Sequence, residues 1–377
     1  MIEHLEFEIR ALMQAGVRPI DDDDDVLFND LALRTFAYQF EQNHAYRKYC
    51  ERRDATPATI NTWRMIPAVP TTAFKHMALT TFPPEQAQTI YRTSGTTQGT
   101  ERRGIHYIRD VSLYEASLRP NLAAHLFPDN MQMPIYVLFW DTSALPNSSL
   151  AHMIHDAVER HGTPDSRYVL SENGIDNAGL AAMLDQAVAM QQPVCLMGVM
   201  YSYVHFLDWC VEHDKRWQLP RSSRLMDTGG SKGRVRDIPR DELYHMYHDI
   251  LGIPSALCVN EYGMTELGSQ FYDSSLRAAF QREWQPRHKV VPPWVRTQIV
   301  DPATLKPVEA GQIGLLRHYD LANLHSVMAI QTEDLGVAVA DGFEVLGRAT
   351  GAELRGCSLA VEDVLYANRN GGEGHRT

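Results

Sequence analysis

A chain of 377 residues has room for a large catalytic domain and a smaller appendage. Its 44% apolar content argues for a packed globular protein, and its net charge of −12 argues against binding to nucleic acid or an anionic membrane. No stretch approaches the apolar length of a membrane span, and the N-terminus lacks an export pattern. Five scattered cysteines without CxxC spacing fit a reducing cytoplasm rather than a disulfide frame or a zinc site.

The first seventeen residues, MIEHLEFEIRALMQAGV, read as an acidic amphipathic helix. The five aspartates at 21–25 repel one another, and read as a solvated loop that ends this helix and N-caps the next. Residues 26–53 have one continuous helical pattern, with Leu27, Leu31, Leu33, Phe36, Tyr38 and Phe40 on overlapping apolar stripes. The two prolines of MIPAVPTTAFK (65–75) predict an extended connection, and 90–93 predicts a short strand entering a Gly/Thr loop. PIYVLFW (134–140) is the clearest buried strand. Helices are then expected at 149–161, 177–191, 201–214 and 240–251. They alternate with strands at 167–170, 194–197, 224–228 and 256–262.

Such alternation predicts an α/β fold with a mixed or parallel sheet flanked by helices. After Trp294 the texture changes to short strands and turns, which predicts a β-rich subdomain over about 294–346. The expected division is a core at 1–346 and a short C-terminal tail at 347–377.

Five segments carry candidate chemistry. YRTSGTTQGT (91–100) alternates hydroxyls with glycines, as suits phosphate oxygens, although a plain turn would read the same way. It is not the P-loop of NTPases, because no GK[ST] follows at the required spacing. DTGGSKGR (227–234) follows a predicted strand; Gly229 and Gly230 allow close approach to a planar ligand, and Lys232 and Arg234 add positive charge. NEYGMTELG (260–268) offers the aromatic face of Tyr262, then Gly263, the Thr265 hydroxyl and the Glu266 carboxylate, which suits magnesium. QTEDLG (331–336) places Asp334 where it could take two ribose hydroxyls, and LGR (346–348) presents Arg348 on a turn. Loops at strand ends are where α/β folds gather ligands.

In that order, TSGTT, DTGG, YGMTE, TEDLG and GR resemble the motifs of the adenylate-forming superfamily. Within it, IPAVPTTAFK, GGSKGR, EYGMTELGSQFYD and LRGCSL (354–359) look most like the acyl-protein synthetases, which activate fatty acids for bacterial bioluminescence reductase complexes. The resemblance implies ATP as co-substrate and Mg²⁺ as its metal. By it, Thr93, Ser94, Gly95, Thr96 and Thr97 hold the phosphates, and Gly229 and Gly230 line the adenine pocket. Tyr262 stacks on the base, Thr265 touches the α-phosphate and Glu266 holds magnesium. Asp334 binds the ribose and Arg348 the phosphate or ribose region. Cys357 accepts the acyl group as a thioester, with Arg355 a nearby cation; the competing reading of Cys357 is a small buried residue in a hinge. Gly198 and Tyr201, in MGVMY, line the acyl pocket by placement.

Two departures stand out. The superfamily's Gly-x-Pro-Lys continuation of the phosphate loop is absent, leaving Lys232, Arg102 or Arg103 to compensate. The chain also ends at Thr377, soon after Arg348, so the mobile C-terminal domain with its catalytic lysine is expected to be absent or vestigial. The implied activity is acyl-AMP formation followed by transfer to a cysteine, and on to a reductase or carrier protein. Competing readings are an acyl- or aryl-CoA or amide-forming ligase, and a non-catalytic acyl- or nucleotide-binding subunit. His152 and His155 have no partner cluster, and read as ordinary helix residues. Cys195, in an apolar strand, reads as core.

Overall fold

A computed structural model describes residues 2–93, 103–229 and 238–349. In chain order it begins with α1 (Ile2–Gln14), α2 (Asp22–Gln42) and α3 (His44–Glu51). Asp21 caps α2 in a capping box: its carboxylate accepts from the Asp24 amide at 2.9 Å, while the Asp24 carboxylate accepts from the Asp21 amide at 3.2 Å. The acidic run is therefore only partly the solvated loop expected. Asp22–Asp25 form the first turn of α2, where the helix dipole favours them; Asp24 is buried and paired with Arg18, and Asp25 pairs with Arg296 at 3.0 Å. The helical pattern over 26–53 is broken at Asn43. Its side chain accepts from the Tyr46 amide and so caps a second helix.

The 65–75 segment is less extended than its prolines predict. It forms strand β1 (Val69–Pro70) and a 3₁₀ turn at Thr71–Lys75. Then come β2 (Thr89–Arg92), β3 (Ile105–Ile108), α4 (Val111–Leu126), β4 (Ile135–Leu138), α5 (Ser149–His161), β5 (Arg167–Tyr168), β6 (Leu170–Ser171), β7 (Gly174–Ile175) and α6 (Asn177–Ala189). They are followed by β8 (Cys195–Val199), α7 (Met200–Glu212), β9 (Arg224–Thr228), α8 (Arg240–Leu251), β10 (Cys258–Tyr262), β11 (Phe271–Tyr272) and α9 (Ser275–Gln281). The last strands are β12 (Lys289–Val290), β13 (Val295–Val300), β14 (Gly314–Asp320), β15 (Ala329–Val339) and β16 (Gly342–Arg348).

The chain forms two compact units. One comprises 1–120, 263–270 and 289–377, and the other 121–262 and 271–288. The second unit holds the helix-flanked sheet, in the order β11-β10-β9-β8-β4-β5, with β5, β4, β8, β9 and β10 all parallel and β11 an antiparallel edge. Its core gathers Leu138, Leu196, Tyr203, Leu207, Leu225 and Tyr247, with helices α6, α7 and α8 supplying apolar faces. Buried on both sides, such strands are nearly all apolar, which is why they were legible.

The first unit holds the β-rich texture seen after Trp294. Its sheet runs β12-β16-β15-β14-β13, antiparallel throughout, with β1 added in parallel along β15. A separate hairpin pairs β2 with β3.

Candidate active site

In the first unit the phosphate-loop candidate is the connection of the β2–β3 hairpin. At its stem the Thr93 amide donates to the Gly104 carbonyl at 3.0 Å, and the Gly104 amide donates to Thr93 Oγ1 at 2.9 Å. Thr93 is thus a stem residue whose hydroxyl accepts one bond and retains its own proton to donate. Ser94, Gly95, Thr96, Thr97 and Arg102 lie outside the described residues, as do Gly230, Lys232, Arg234, Arg355 and Cys357.

Thr265 and Glu266 lie in the turn after β10, in the 263–270 segment of the same unit. Several side chains fix that segment through its backbone and its own polar groups. Asn323 Nδ2 donates to the Glu266 carbonyl at 2.8 Å, and His106 Nδ1 lies 2.9 Å from the Thr265 carbonyl. Ser269 donates to the buried Asp320 carboxylate through both its amide (2.8 Å) and its hydroxyl (2.7 Å). Gln270 Nε2 donates to the Tyr114 hydroxyl at 3.1 Å.

Glu266 is 7% exposed, and burial pushes its carboxyl up to about 7. Its own backbone amide, Arg348 and Lys75 oppose that rise, whereas Asp334 adds to it. Four charged side chains therefore share one neighbourhood. Asp334 and Arg348 lie beside each other: Arg348 Nε is 3.6 Å from Asp334 Oδ1, and Nη2 is 3.8 Å from Glu333. Asp334 does not sit in a loop at a strand end, as its motif suggests. It lies within β15, eleven residues long, opposite Arg348 at the end of β16. Lys75, which closes the IPAVPTTAFK segment and is not among the sequence candidates, joins them in this neighbourhood.

In the second unit, parallel β9 and β10 end side by side, with Thr228 opposite Glu261 and Asp227 opposite Asn260. The Thr228 hydroxyl donates to the buried Glu261 carboxylate. Asn260 Nδ2 and the Tyr247 hydroxyl donate to Asp227, at 2.6 and 3.0 Å. These ties fix the strand ends from which Gly229 and Tyr262 emerge. Gly229 has a φ of +75°, and among the described residues an added Cβ would meet nothing within 4 Å, so glycine serves backbone conformation there. Tyr262 is half-buried beside Phe271, with ring centroids 5.9 Å apart. Tyr201 is half-buried in the first turn of α7. Gly198 has a packing reason to be glycine: a Cβ there would lie 2.8 Å from Leu138 Cβ and 2.9 Å from its carbonyl oxygen on the adjacent strand.

Among the described residues no three His, Cys, Asp or Glu side chains converge as a metal cluster, and no helix is long and apolar enough to cross a membrane. His152 and His155 both lie on α5.

A family model described as acyl-protein synthetase, LuxE, matches residues 153–366. The chain belongs to the LuxE acyl-protein synthetase family. It is accordingly an acid–thiol ligase of the acyl-protein synthetase type. Two relatives are each described as a long-chain-fatty-acid–luciferin-component ligase. The Vibrio harveyi protein is 22% identical over 92% of this chain and 90% of its own length; the Aliivibrio fischeri protein is 23% identical over 90% and 88%. The fold is that of adenylate-forming ligases. A 2-hydroxyisobutyryl-CoA ligase in its postadenylation state, in complex with 2-HIB-AMP, superposes with a TM-score of 0.63 at 14% identity, covering 88% of this chain and 69% of that one. Its open conformation, with 2-HIB-AMP and CoA, gives 0.60 over 88% and 76%. This synthetase therefore carries its YGMTE motif across a change of unit, with Tyr262 the last residue of one stretch and Gly263 the first of the next.

Proposed function

We propose that this acyl-protein synthetase uses MgATP to convert a fatty acid into its acyl-adenylate, loads the acyl group on Cys357, and delivers it to a partner protein in the cytoplasm. The observation that carries the reading is the cluster of Glu266, Asp334, Arg348 and Lys75. A buried carboxylate held near neutrality beside two cations has the donor chemistry of a site completed by a hard cation and an anionic ligand. Magnesium takes few protein oxygens plus substrate phosphates, so the donor set fits with Glu266 as ligand. When bound it neutralises phosphate charge.

The protein's own work is placement. A carboxylate needs no general base, since it is already ionised at neutral pH. Its oxygen attacks the α-phosphorus, pyrophosphate leaves, and Lys75, Arg348 and the Thr265 hydroxyl stabilise charge on the phosphates, with Lys232 a further cation in the phosphate region. Asp334 takes ribose hydroxyls, while Gly229, Gly230 and the ring of Tyr262 receive the base. Met197–Tyr201, including Gly198 and Tyr201, lines the acyl site by placement.

Acyl transfer then needs a reachable thiolate. Cys50, Cys195 and Cys210 are buried, and burial pushes their thiols up to about 12; Cys258 is raised further still. Four of the five cysteines are thus protonated and enclosed, which supports Cys357 as the acceptor. Its sulfur displaces AMP from the mixed anhydride to form the thioester.

Intact-protein mass after incubation with ATP, magnesium and a panel of fatty and aromatic acids tests this. The expected result is a hydroxylamine-labile acyl adduct on wild type that is lost in Cys357→Ser. Pyrophosphate release without any adduct would move the acceptor to coenzyme A, an amine or a carrier. No adduct and no pyrophosphate would favour a non-catalytic binding subunit.

A further inference from the structure

His106 lies on β3, just past the phosphate-loop candidate and outside the five motif segments. It is 3% exposed. The Phe74 ring meets it edge-on with centroids 5.7 Å apart, and Phe74 directly precedes Lys75. Opposite it on β2 is Tyr91. Its Nδ1 lies 2.9 Å from the carbonyl oxygen of Thr265. A carbonyl only accepts, so the imidazole donates from Nδ1 and exists as that tautomer.

We propose that His106 is a positioning residue for adenylation. Its Nδ1–H ties β3, in the stem of the phosphate-loop hairpin, to the Thr265–Glu266 turn, and so sets the placement of the Thr265 hydroxyl and the Glu266 carboxylate relative to that stem. The inference rests on the proposed activity. Three sequence-distant pieces meet at one imidazole: the 3₁₀ turn ending at Lys75, the β2–β3 hairpin, and the Thr265–Glu266 turn. Asn323 holds the next carbonyl along, that of Glu266, at 2.8 Å, so two successive peptide groups are pinned from different elements. A buried imidazole with one carbonyl partner stays neutral: burial holds His106 down to about 4. It therefore donates across the neutral pH range and takes no proton from the reaction. Catalytic geometry is sensitive to displacements of about 1 Å, which is the scale a lost tether allows.

The test compares acid-dependent ATP–pyrophosphate exchange in wild type, His106→Phe and His106→Gln. Phenylalanine keeps the aromatic volume without a donor, whereas the glutamine amide restores one. The expected result for His106→Phe is an about ten-fold or larger loss in kcat/KM for MgATP, with KM for the acid within about two-fold of wild type, and most of that loss recovered in His106→Gln. Folded His106→Phe with wild-type exchange overturns the proposal, and so does equal loss in both variants. If His106→Phe does not fold, long-range ¹H–¹⁵N correlation on ¹⁵N-histidine-labelled wild type decides: a neutral Nδ1–H imidazole supports the tether, and an Nε2–H tautomer overturns it. Absence of exchange by wild type with every acid counts against the activity itself and takes the positioning role with it.

Discussion

Asp334 and Arg348 face each other across the β15–β16 ladder, with Arg348 Nε 3.6 Å from the Asp334 carboxylate. Because the Arg348 side chain is 72% exposed, this pair contributes little to folding. Arg348→Ala and Asp334→Asn should therefore leave the thermal midpoint within a degree or two of wild type. Each should raise KM for ATP about ten-fold or more, the scale of losing a charge-assisted hydrogen bond. Pyrophosphate exchange and a thermal melt on the same preparations check both halves.

Glu266 gives a pH dependence with a definite sign. Its carboxyl is raised to about 7 in the folded chain from an ordinary value of 4.5, so between those pH values the fold holds a proton that the unfolded chain has released. Stability from this group is full below 4.5 and is lost as pH climbs toward and through about 7. Magnesium competes with that proton, so the apparent KM for Mg²⁺ should fall as pH rises through the same range. Glu266→Gln should flatten the thermal midpoint against pH in the metal-free protein, and abolish the magnesium dependence of exchange along with most of its rate.

Gly198→Ala should be destabilising whatever lies nearby, because the new methyl would sit under 3 Å from two Leu138 atoms in the neighbouring strand. Overpacking of this kind costs about 1–3 kcal/mol, to be read from urea melts. If acid preference changes as well, MGVMY lines the acyl site; if only stability moves, its glycine is explained by the sheet alone.

Cysteine substitutions should divide cleanly. Cys195→Ser puts a hydroxyl into an apolar interior and should cost about 1–3 kcal/mol while the acyl adduct still forms. Cys357→Ser should lose the adduct. Retention of a hydroxylamine-labile adduct in Cys357→Ser would remove Cys357 as the acceptor thiol.

The parallel sheet was legible because its strands are continuous apolar runs between helices of ordinary length. Ser149–His161, Arg224–Thr228 and Arg240–Leu251 lie where the pattern puts them. Asn43 was harder to read, since a cap in mid-pattern leaves the apolar stripe running on either side of it. The strand Ala329–Val339 was hidden for a different reason. Thr332, Glu333 and Asp334 break its apolar alternation and imitate a turn, and only pairing with β14 and β16 on either side makes it a strand. Motifs located Glu266, Asp334 and Arg348, whereas Lys75 and His106 could not be found that way. Their significance comes from long-range proximity to the turn after β10, which no local pattern encodes.

Opposite the step from Leu335 to Gly336, β16 has one residue more than the ladder needs: Leu335 faces Gly347, Gly336 faces Val345, and Leu346 is left over. Were the ladder to run on one for one past Gly336, Arg348 would fall opposite Glu333; the surplus residue is absorbed in a bulge, which sets Arg348 opposite Asp334 instead. Successive side chains alternate between faces, so that one-residue offset decides which of two neighbouring carboxylates Arg348 is set opposite.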